Sequence, residues 1–523
     1  MAKKQKELHL LKRGQQGIFH AIFSRFGLVL VLLLLQFFVL FGIFIWFGNL
    51  LPHFFGGSVL FSAVIVLFLL NGKANPSVKI TWLVVIMIMP VFGVLLYCYT
   101  QSDIGHRALK LRLNQIFSET KNLIPQSEEV KEHFQGENKG ASSLASYIRR
   151  SGCFPVYDRT DLTYFPLGED KFAEMLRQLK KAKHFIFMEY FIIEEGQMWG
   201  EILELLAEKV KEGVDVRLMY DGTCEFALLP RSYPKRLREL GIKCKIFAPV
   251  MPFISTHYNY RDHRKILVID GHTAFTGGIN LADEYINARQ RFGHWKDTAV
   301  MLKGEAVKTF TLSFLQVWSI GEPNLSYEEF LKTPTFPQPE AKGYVIPYSD
   351  CPLDDDKVGE RVYMDMLNRA ERYVHIMTPY LILDGEMEAA LKFAAERGVE
   401  VALILPGIPD KKVAYALAKT HYRSLLESGV HIYEYTPGFV HAKVVVSDDR
   451  EAVVGTINFD YRSFYHHFEC AVYMYKSGCI PKIEEDFRET FAKCRRVTFE
   501  TIKHEKPIVK LVGFFAKVVA PLL

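Results

Sequence analysis

His263-Arg-Lys-Ile-Leu-Val-Ile-Asp270, followed by Gly277 and Asn280, returns later in the chain as His441-Ala-Lys-Val-Val-Val-Ser-Asp448, followed by Gly455 and Asn458. Both copies obey one spacing, His-x-Lys-x4-Asp-x6-Gly-x2-Asn. With each residue type at roughly 5% background, a match at a given position is about a one-in-10⁶ event, so the repeat is not chance. A short apolar run follows each lysine, Ile266-Leu-Val-Ile269 or Val444-Val-Val446, and reads as a buried strand. Residues two apart on a strand share a face. His263 with Lys265, and His441 with Lys443, are therefore predicted to point into one site. Asp270 and Asp448 complete each motif at the strand's end and read as partners that hold a loop or an arginine. The Gly-x-x-Asn endings bring Asn280 and Asn458 back towards the same place.

These residue types suit phosphoryl transfer. A phosphodiester is anionic and resists attack, so its oxygens need neutralising, a nucleophile is required, and the leaving alkoxide needs a proton. Lys265, Lys443, Asn280 and Asn458 can bind the phosphate, while His263 and His441 serve as nucleophile and acid. The residues do not say which histidine takes which part. A catalytic histidine also needs an acceptor for its Nδ1–H. Asp297-Thr-Ala-Val-Met-Leu302 aligns with Glu469-Cys-Ala-Val-Tyr-Met474, which makes Asp297 and Glu469 the candidates for orienting the histidines.

Working outward, each motif closes a longer repeat. A strand (184–193; 373–382), an amphipathic helix (Trp199–Glu212; Met387–Arg397) and a second strand (213–222; 398–407) precede it in the same order. This is the pattern of a βαβ unit with a buried sheet. The chain therefore reads as α/β, with similar halves at 151–335 and 336–500 divided by the proline-rich stretch 332–340. Residues 102–150 form a polar linker with a helix near Ala108–Thr120. Residues 501–523 form an amphipathic tail with Lys510 and Lys517 among apolar residues, suited to an anionic membrane surface or to packing as a last core helix.

The 523 residues carry a net charge of +5, which by itself excludes little. The distribution says more. No Asp, Glu, Lys or Arg occurs from Phe26 to Gly72, and none from Ile80 to Ser102. Crossing a bilayer takes about 20 helical residues, so spans are expected at 26–48, 57–71 and 80–100, after a basic cytoplasmic stretch at 1–25. Three spans place the rest of the chain outside, whereas Arg107, Lys110, Arg112 and Lys121 argue for the inside. The reading favours a multi-pass membrane protein with a cytoplasmic catalytic region. The eight cysteines show no paired spacing and read as free thiols. No metal-ligand cluster and no phosphate-binding loop motif appears, so no metal and no cofactor are expected.

With the double motif in place, the sequence resembles the phospholipase D superfamily, and more narrowly the bacterial cardiolipin synthases over essentially the whole chain. Tyr260-Arg-Asp-His-Arg-Lys265, Gly277-Gly-Ile-Asn-Leu-Ala-Asp-Glu-Tyr285, Tyr435-Thr-Pro-Gly-Phe-Val-His-Ala-Lys443 and Asn458-Phe-Asp-Tyr-Arg-Ser-Phe464 carry the closer likeness. The resemblance implies two phospholipase D-like sandwich domains forming a pseudo-twofold unit behind N-terminal transmembrane helices. It implies that two phosphatidylglycerol molecules become cardiolipin and glycerol through a phosphohistidine, with His263 as nucleophile and His441 as acid/base. A hydrolysing phospholipase D or a phosphatidylserine synthase would use the same residues, and an inactive membrane scaffold is the reading of another class. Nucleic acid is not an expected partner, because its cleavage gives no reason for a membrane anchor. Phe247–Ile254 offers an apolar rim or an ordinary turn. His272, His294, His466 and His467 read as loop or surface residues. Tyr461 and Arg462 either line the pocket or play a structural part, with the arginine paired to Asp448.

Overall fold

The computed structural model describes Phe38, Gly42 and residues 57–522, except 73, 89–92, 95, 99–105, 250–259, 323, 337, 339 and 355. The basic stretch 1–25, most of the expected span 26–48 and the rim at 250–254 lie outside the described residues.

In the first half the strands are β1 (Asp161–Phe165), β2 (Phe185–Tyr190), β3 (Asp215–Asp221), β4 (Lys243–Phe247) and β5 (Arg261–Asp262). β6 (Ile266–Ile269), β7 (Thr273–Gly277), β8 (His294–Lys296) and β9 (Ala299–Lys303) complete it. Seven of them form one sheet in the order β1-β9-β7-β6-β2-β3-β4. β2 and β3 are parallel, with the helix Gln197–Lys211 crossing between them, as the apolar runs and the intervening 3.6-residue period require.

The second half repeats this plan. Its strands are β10 (Tyr344–Asp350), β11 (Tyr373–Met377), β12 (Leu381–Ile382), β13 (Glu400–Pro406), β14 (His431–Tyr435) and β15 (Gly438–Val440). β16 (Val444–Ser447), β17 (Glu451–Gly455), β18 (Phe459–Asp460), β19 (His467–Tyr475) and β20 (Cys494–Arg496) follow. The sheet order β10-β19-β17-β16-β11-β13-β14-β20 matches the first sheet strand for strand, with β20 added at one edge. The halves bury a common core: Phe187, Val268 and Val300 of the first belong to one apolar cluster with Val446, Val454 and Val472 of the second.

Two short ladders tie the halves together where the motifs lie. β5 of the first half pairs with β19 of the second, and β15 of the second pairs with β8 of the first. His263 and His441 each follow directly on one of these crossing strands. The His-x-Lys pairs therefore sit in the links from β5 to β6 and from β15 to β16, not within a strand as the alternation suggested. At that point the chain passes from a ladder with the other half to the main sheet of its own half, so no single ladder runs through it.

The described part of the N-terminal region does not form the expected spans 57–71 and 80–100 as single crossing helices. Among the described residues no helix is long and apolar enough to cross a membrane. The stretch 57–71 is a single helix, α1 (Gly57–Asn71), of 15 residues, short of the roughly 20 a crossing requires. The stretch 80–100 is not one helix. α2 (Pro76–Ile88) ends two residues before Pro90, and a proline disfavours helix at the residue preceding it. Val94 and Tyr97 then pack with Trp82 and Ile86 of α2, the Tyr97 and Trp82 rings 5.3 Å apart. α2 also leans on the C-terminal helix Pro507–Val519, through Thr81 Oγ1 donating to the Val518 carbonyl at 2.8 Å. Val64, Leu67, Phe68, Met87 and Ile88, with Leu511, Phe514 and Phe515 of that last helix, keep exposed apolar side chains.

Candidate active site

Each motif aspartate holds a loop. Asp270 accepts hydrogen bonds from the backbone N–H groups of Lys183, His184 and Phe185 at 2.8–2.9 Å. Asp448 accepts from those of Glu371, Arg372 and Tyr373 at 2.9–3.0 Å, and from Arg450 at 3.0 Å. Both residues turn the chain with positive φ, 51° and 55°, a conformation that Asp tolerates better than most residues. These bonds fasten the start of β2 to the end of β6, and of β11 to the end of β16. Neither aspartate lines the central cavity.

The crossing strands bring both histidines to that cavity, which has a volume of about 800 Å³. The His263 N–H donates to the Phe468 carbonyl at 3.0 Å, and the His441 N–H to the Lys296 carbonyl at 2.7 Å. Each backbone bond is thus made to the opposite half, one residue before a carboxylate. His263 Nδ1 lies 2.9 Å from Glu469 Oε1, and His441 Nδ1 lies 2.7 Å from Asp297 Oδ2. The dyads are crossed, and neither half contains a complete one.

Glycines permit the close approach of the strands that carry these carboxylates, and at Gly278 of the Asp297 carboxylate itself. A Cβ on Gly277 would stand 2.4 Å from the Thr298 carbonyl, one on Gly278 2.1 Å from Asp297 Oδ1, and one on Gly455 2.4 Å from Ala471 Cβ. Thr456 takes the place of Gly278 in the second half, and its hydroxyl donates to Glu469, as does Ser463 Oγ at 2.7 Å. Asp297 has less support, the Thr298 N–H at 2.8 Å.

The electrostatics follow that difference. Burial pushes the Asp297 carboxyl up to about 7, against Lys443 and the Thr298 N–H. Burial acts on Glu469 in the same direction, but His263 and His467 beside it hold its carboxyl well below the usual range. Both motif histidines are pushed well below their ordinary value, first by burial. Lys265 adds to this at His263 against Glu469, and Lys443 and Lys265 add to it at His441. The neutral imidazole is favoured at both positions.

Lys265 and Lys443 lie beneath the histidines, each 1% exposed, and each Nζ donates to the carbonyl of the histidine two residues before it. Burial lowers them to about 8 and about 7. Glu469 and Asp297 offset this buried positive charge only in part, so an arriving anion is favoured. Asn280 and Asn458 both line the cavity. Asn280 is committed on both ends, accepting from the Ile192 N–H at 3.0 Å and donating to Tyr285 Oη at 2.8 Å. Asn458 Oδ1 is buried with no hydrogen-bond partner.

Several residues stand apart from the sequence reading. His467 is no surface residue: it is buried at 8% exposure on the cavity wall, with its ring 5.4 Å from that of His263. Its signal was present, because His467-x-Glu469 aligns with Trp295-x-Asp297 and residues two apart on a strand share a face. Arg261 also lines the cavity, from the position two before His263. Tyr461 and Arg462 line it too, and the arginine beside Asp448 is Arg450. None of the eight cysteines forms a disulfide.

Residues 175–318 and 363–491 match the family described as cardiolipin synthase, phospholipase D-like domain, and residues 59–98 match the one described as phospholipase D-nuclease N-terminal. An uncharacterized protein of Streptococcus mutans serotype c is 57% identical over 458 residues, covering 88% of this chain and 99% of that one. The cardiolipin synthase of Alkalihalophilus pseudofirmus is 31% identical over 485 residues, covering 91% of this chain and 95% of that one. Among solved structures, the phosphatidylserine synthase of Haemophilus influenzae superposes with a TM-score of 0.56 at 15% identity, over 74% of this chain and 100% of that one. That likeness concerns the fold alone.

Proposed function

The chain belongs to the cardiolipin synthase family, and we propose that its crossed dyads carry out phosphatidyl transfer in two displacements. It is a phosphatidyltransferase of phospholipid synthesis. Two phosphatidylglycerols give cardiolipin and glycerol. In the first step His263 Nε2 attacks the phosphorus of one phosphatidylglycerol, with Glu469 holding Nδ1–H so that the lone pair faces the substrate. His441, able to take up a proton once the phosphate anion offsets the charge of Lys443 and Lys265, gives that proton to the departing glycerol oxygen. In the second step His441, now neutral, takes the proton of a hydroxyl on another phosphatidylglycerol. That oxygen forms its bond to phosphorus as the bond to His263 breaks.

Lys265 and Lys443 supply positive charge from below, and Asn280 and Asn458 face the phosphate from the cavity wall. Asp270 and Asp448 hold the loops that fix the two sheets behind the motifs. Exchanging one phosphodiester for another needs no external energy source, which fits a site built from imidazole, ammonium and amide groups. Assigning the attack to His263 rests on the family resemblance, supported by the firmly ionised carboxylate behind it.

The uncharged N-terminal runs and the exposed apolar side chains of α1, α2 and the last helix support residence at a bacterial membrane. The basic residues at 1–25 and 107–121 favour the cytoplasmic face for the catalytic halves. The observation that carries the reading is the pair of buried His–carboxylate dyads facing one cavity. Purified full-length protein in detergent, given phosphatidylglycerol alone, is expected to yield cardiolipin and free glycerol by lipid mass spectrometry. Phosphatidic acid without cardiolipin would make water the acceptor and the chain a hydrolase.

A further inference from the structure

Beyond the dyads the site loses its pseudo-symmetry, and the difference lies one step along the crossing strands. β5 sets Arg261 opposite His467, while β15 sets Phe439 opposite Trp295. By the two-residue period, Arg261 and His467 extend the face that carries His263 and Glu469. Phe439 and Trp295 likewise extend the face of His441 and Asp297. The second pair is aromatic, its rings 4.9 Å apart and 5.8 and 5.5 Å from His441.

The first pair is basic and polar. Both ring nitrogens of His467 are buried without a hydrogen-bond partner, and its Nδ1 stays 3.7 Å from Glu469 Oε1, beyond bonding distance. Arg462 joins Arg261 and His467 on the cavity wall. Burial, with the charge of Arg261, draws the Arg462 guanidinium down against Asp460. Basic groups gathered on an enclosed wall, one of them with idle nitrogens, call for an anion other than the one the dyads clasp.

We propose that Arg261, His467 and Arg462 form a second phosphate subsite, which holds the phosphodiester of the acceptor lipid while its hydroxyl attacks the phosphohistidine. This rests on the cardiolipin synthase reading and adds what distinguishes a phosphatidylglycerol acceptor from water or glycerol. The spacing suits it: two strand residues advance about 6.6 Å, comparable with the reach of the three-carbon bridge joining the phosphates of cardiolipin. The chemistry suits it as well. An acceptor phosphate entering a partly apolar cavity loses hydration unless it is paired, and guanidinium groups pair with phosphate through two parallel hydrogen bonds. No new covalent step is involved.

Phosphate-free acceptors make no use of the subsite, and this provides the test. Full-length Arg462→Gln and Arg462→Ala variants in detergent are assayed for cardiolipin formation from phosphatidylglycerol. They are also assayed for incorporation of labelled glycerol into phosphatidylglycerol, which needs only the dyads. Each variant is expected to lose about tenfold or more in cardiolipin formation, and to keep glycerol incorporation within about twofold of wild type. Equal loss in both assays, or unchanged cardiolipin formation in both variants, overturns the subsite. A wild type that incorporates glycerol but forms no cardiolipin is a different result, and it overturns the functional reading itself.

Discussion

His441 of the second half lies 2.7 Å from Asp297 of the first, while His263 of the first half lies 2.9 Å from Glu469 of the second. The exchange comes from β5 and β15, each of which pairs with a strand of the other half. A site of this kind exists only when both halves are docked, and the reaction is bound to the interface rather than to either domain.

Asp297→Asn and Glu469→Gln should each lower kcat by about 10²–10⁴-fold, because the amide no longer fixes the tautomer or stabilises the imidazolium. Circular dichroism and thermal unfolding are expected to stay close to wild type. A variant of either kind retaining near-wild-type kcat would contradict the crossed pairing.

Gly278→Ala tests the same relationship without touching a charged group. Its new Cβ would fall 2.1 Å from Asp297 Oδ1, so the carboxylate must move away from His441. Activity is expected to fall by at least about tenfold, with less effect from Thr456→Ser, which keeps the hydroxyl on Glu469. Steady-state kinetics on the two variants decides this.

The rate should be bell-shaped in pH, with limbs that belong to the coupled pair. Burial moves the His263 value downward, so its lone pair is lost to protonation only below the usual histidine range, and the acid limb lies under about 6.5. On the alkaline side Lys443 and Lys265, lowered to about 7 and about 8, lose the charge that neutralises the phosphate. Activity therefore declines through that interval. A profile of kcat/KM flat from pH 5 to 9 would contradict this pairing of imidazole and lysine titrations.

Asp270→Ala and Asp448→Ala should act on stability. Each removes a carboxylate that accepts three backbone N–H bonds and leaves alanine at positive φ, a cost of about 2–4 kcal/mol. The enzyme that remains folded is expected to keep most of its kcat. For Asp448 burial is outweighed by its hydrogen bonds, which lower the native value below 3.8. Its stabilisation is thus complete above 3.8 and fades as pH falls through that lower value. Differential scanning fluorimetry across pH, comparing wild type with Asp448→Asn, reads this directly.

Much of the arrangement was legible because it follows local periods. The runs 213–222 and 398–407 repeat almost residue for residue, and they became parallel strands β3 and β13. The repeated spacing likewise marked His263, His441, Asn280 and Asn458, all of which face one cavity. What local pattern does not encode is pairing between distant strands. Asp297 and Glu469 were found by aligning the halves, yet their exchange of partners depends on the β5–β19 and β15–β8 ladders. His467 reads as a loop or surface residue outside the repeated spacing, although its place two before Glu469 sets its direction. In the N-terminal region, absence of charge suggested long spans, whereas Pro90 and the return of Tyr97 onto Trp82 shorten the helix.

The most direct test of the account is to trap the intermediate. Wild-type protein is mixed with phosphatidylglycerol labelled at phosphorus, quenched in base to preserve a phosphohistidine, and digested for peptide mapping. The account predicts label on the peptide containing His263, absent in His263→Ala and retained in Glu469→Gln only at a reduced rate. Label on the His441 peptide, or cardiolipin formed with no labelled protein at any time, would contradict it.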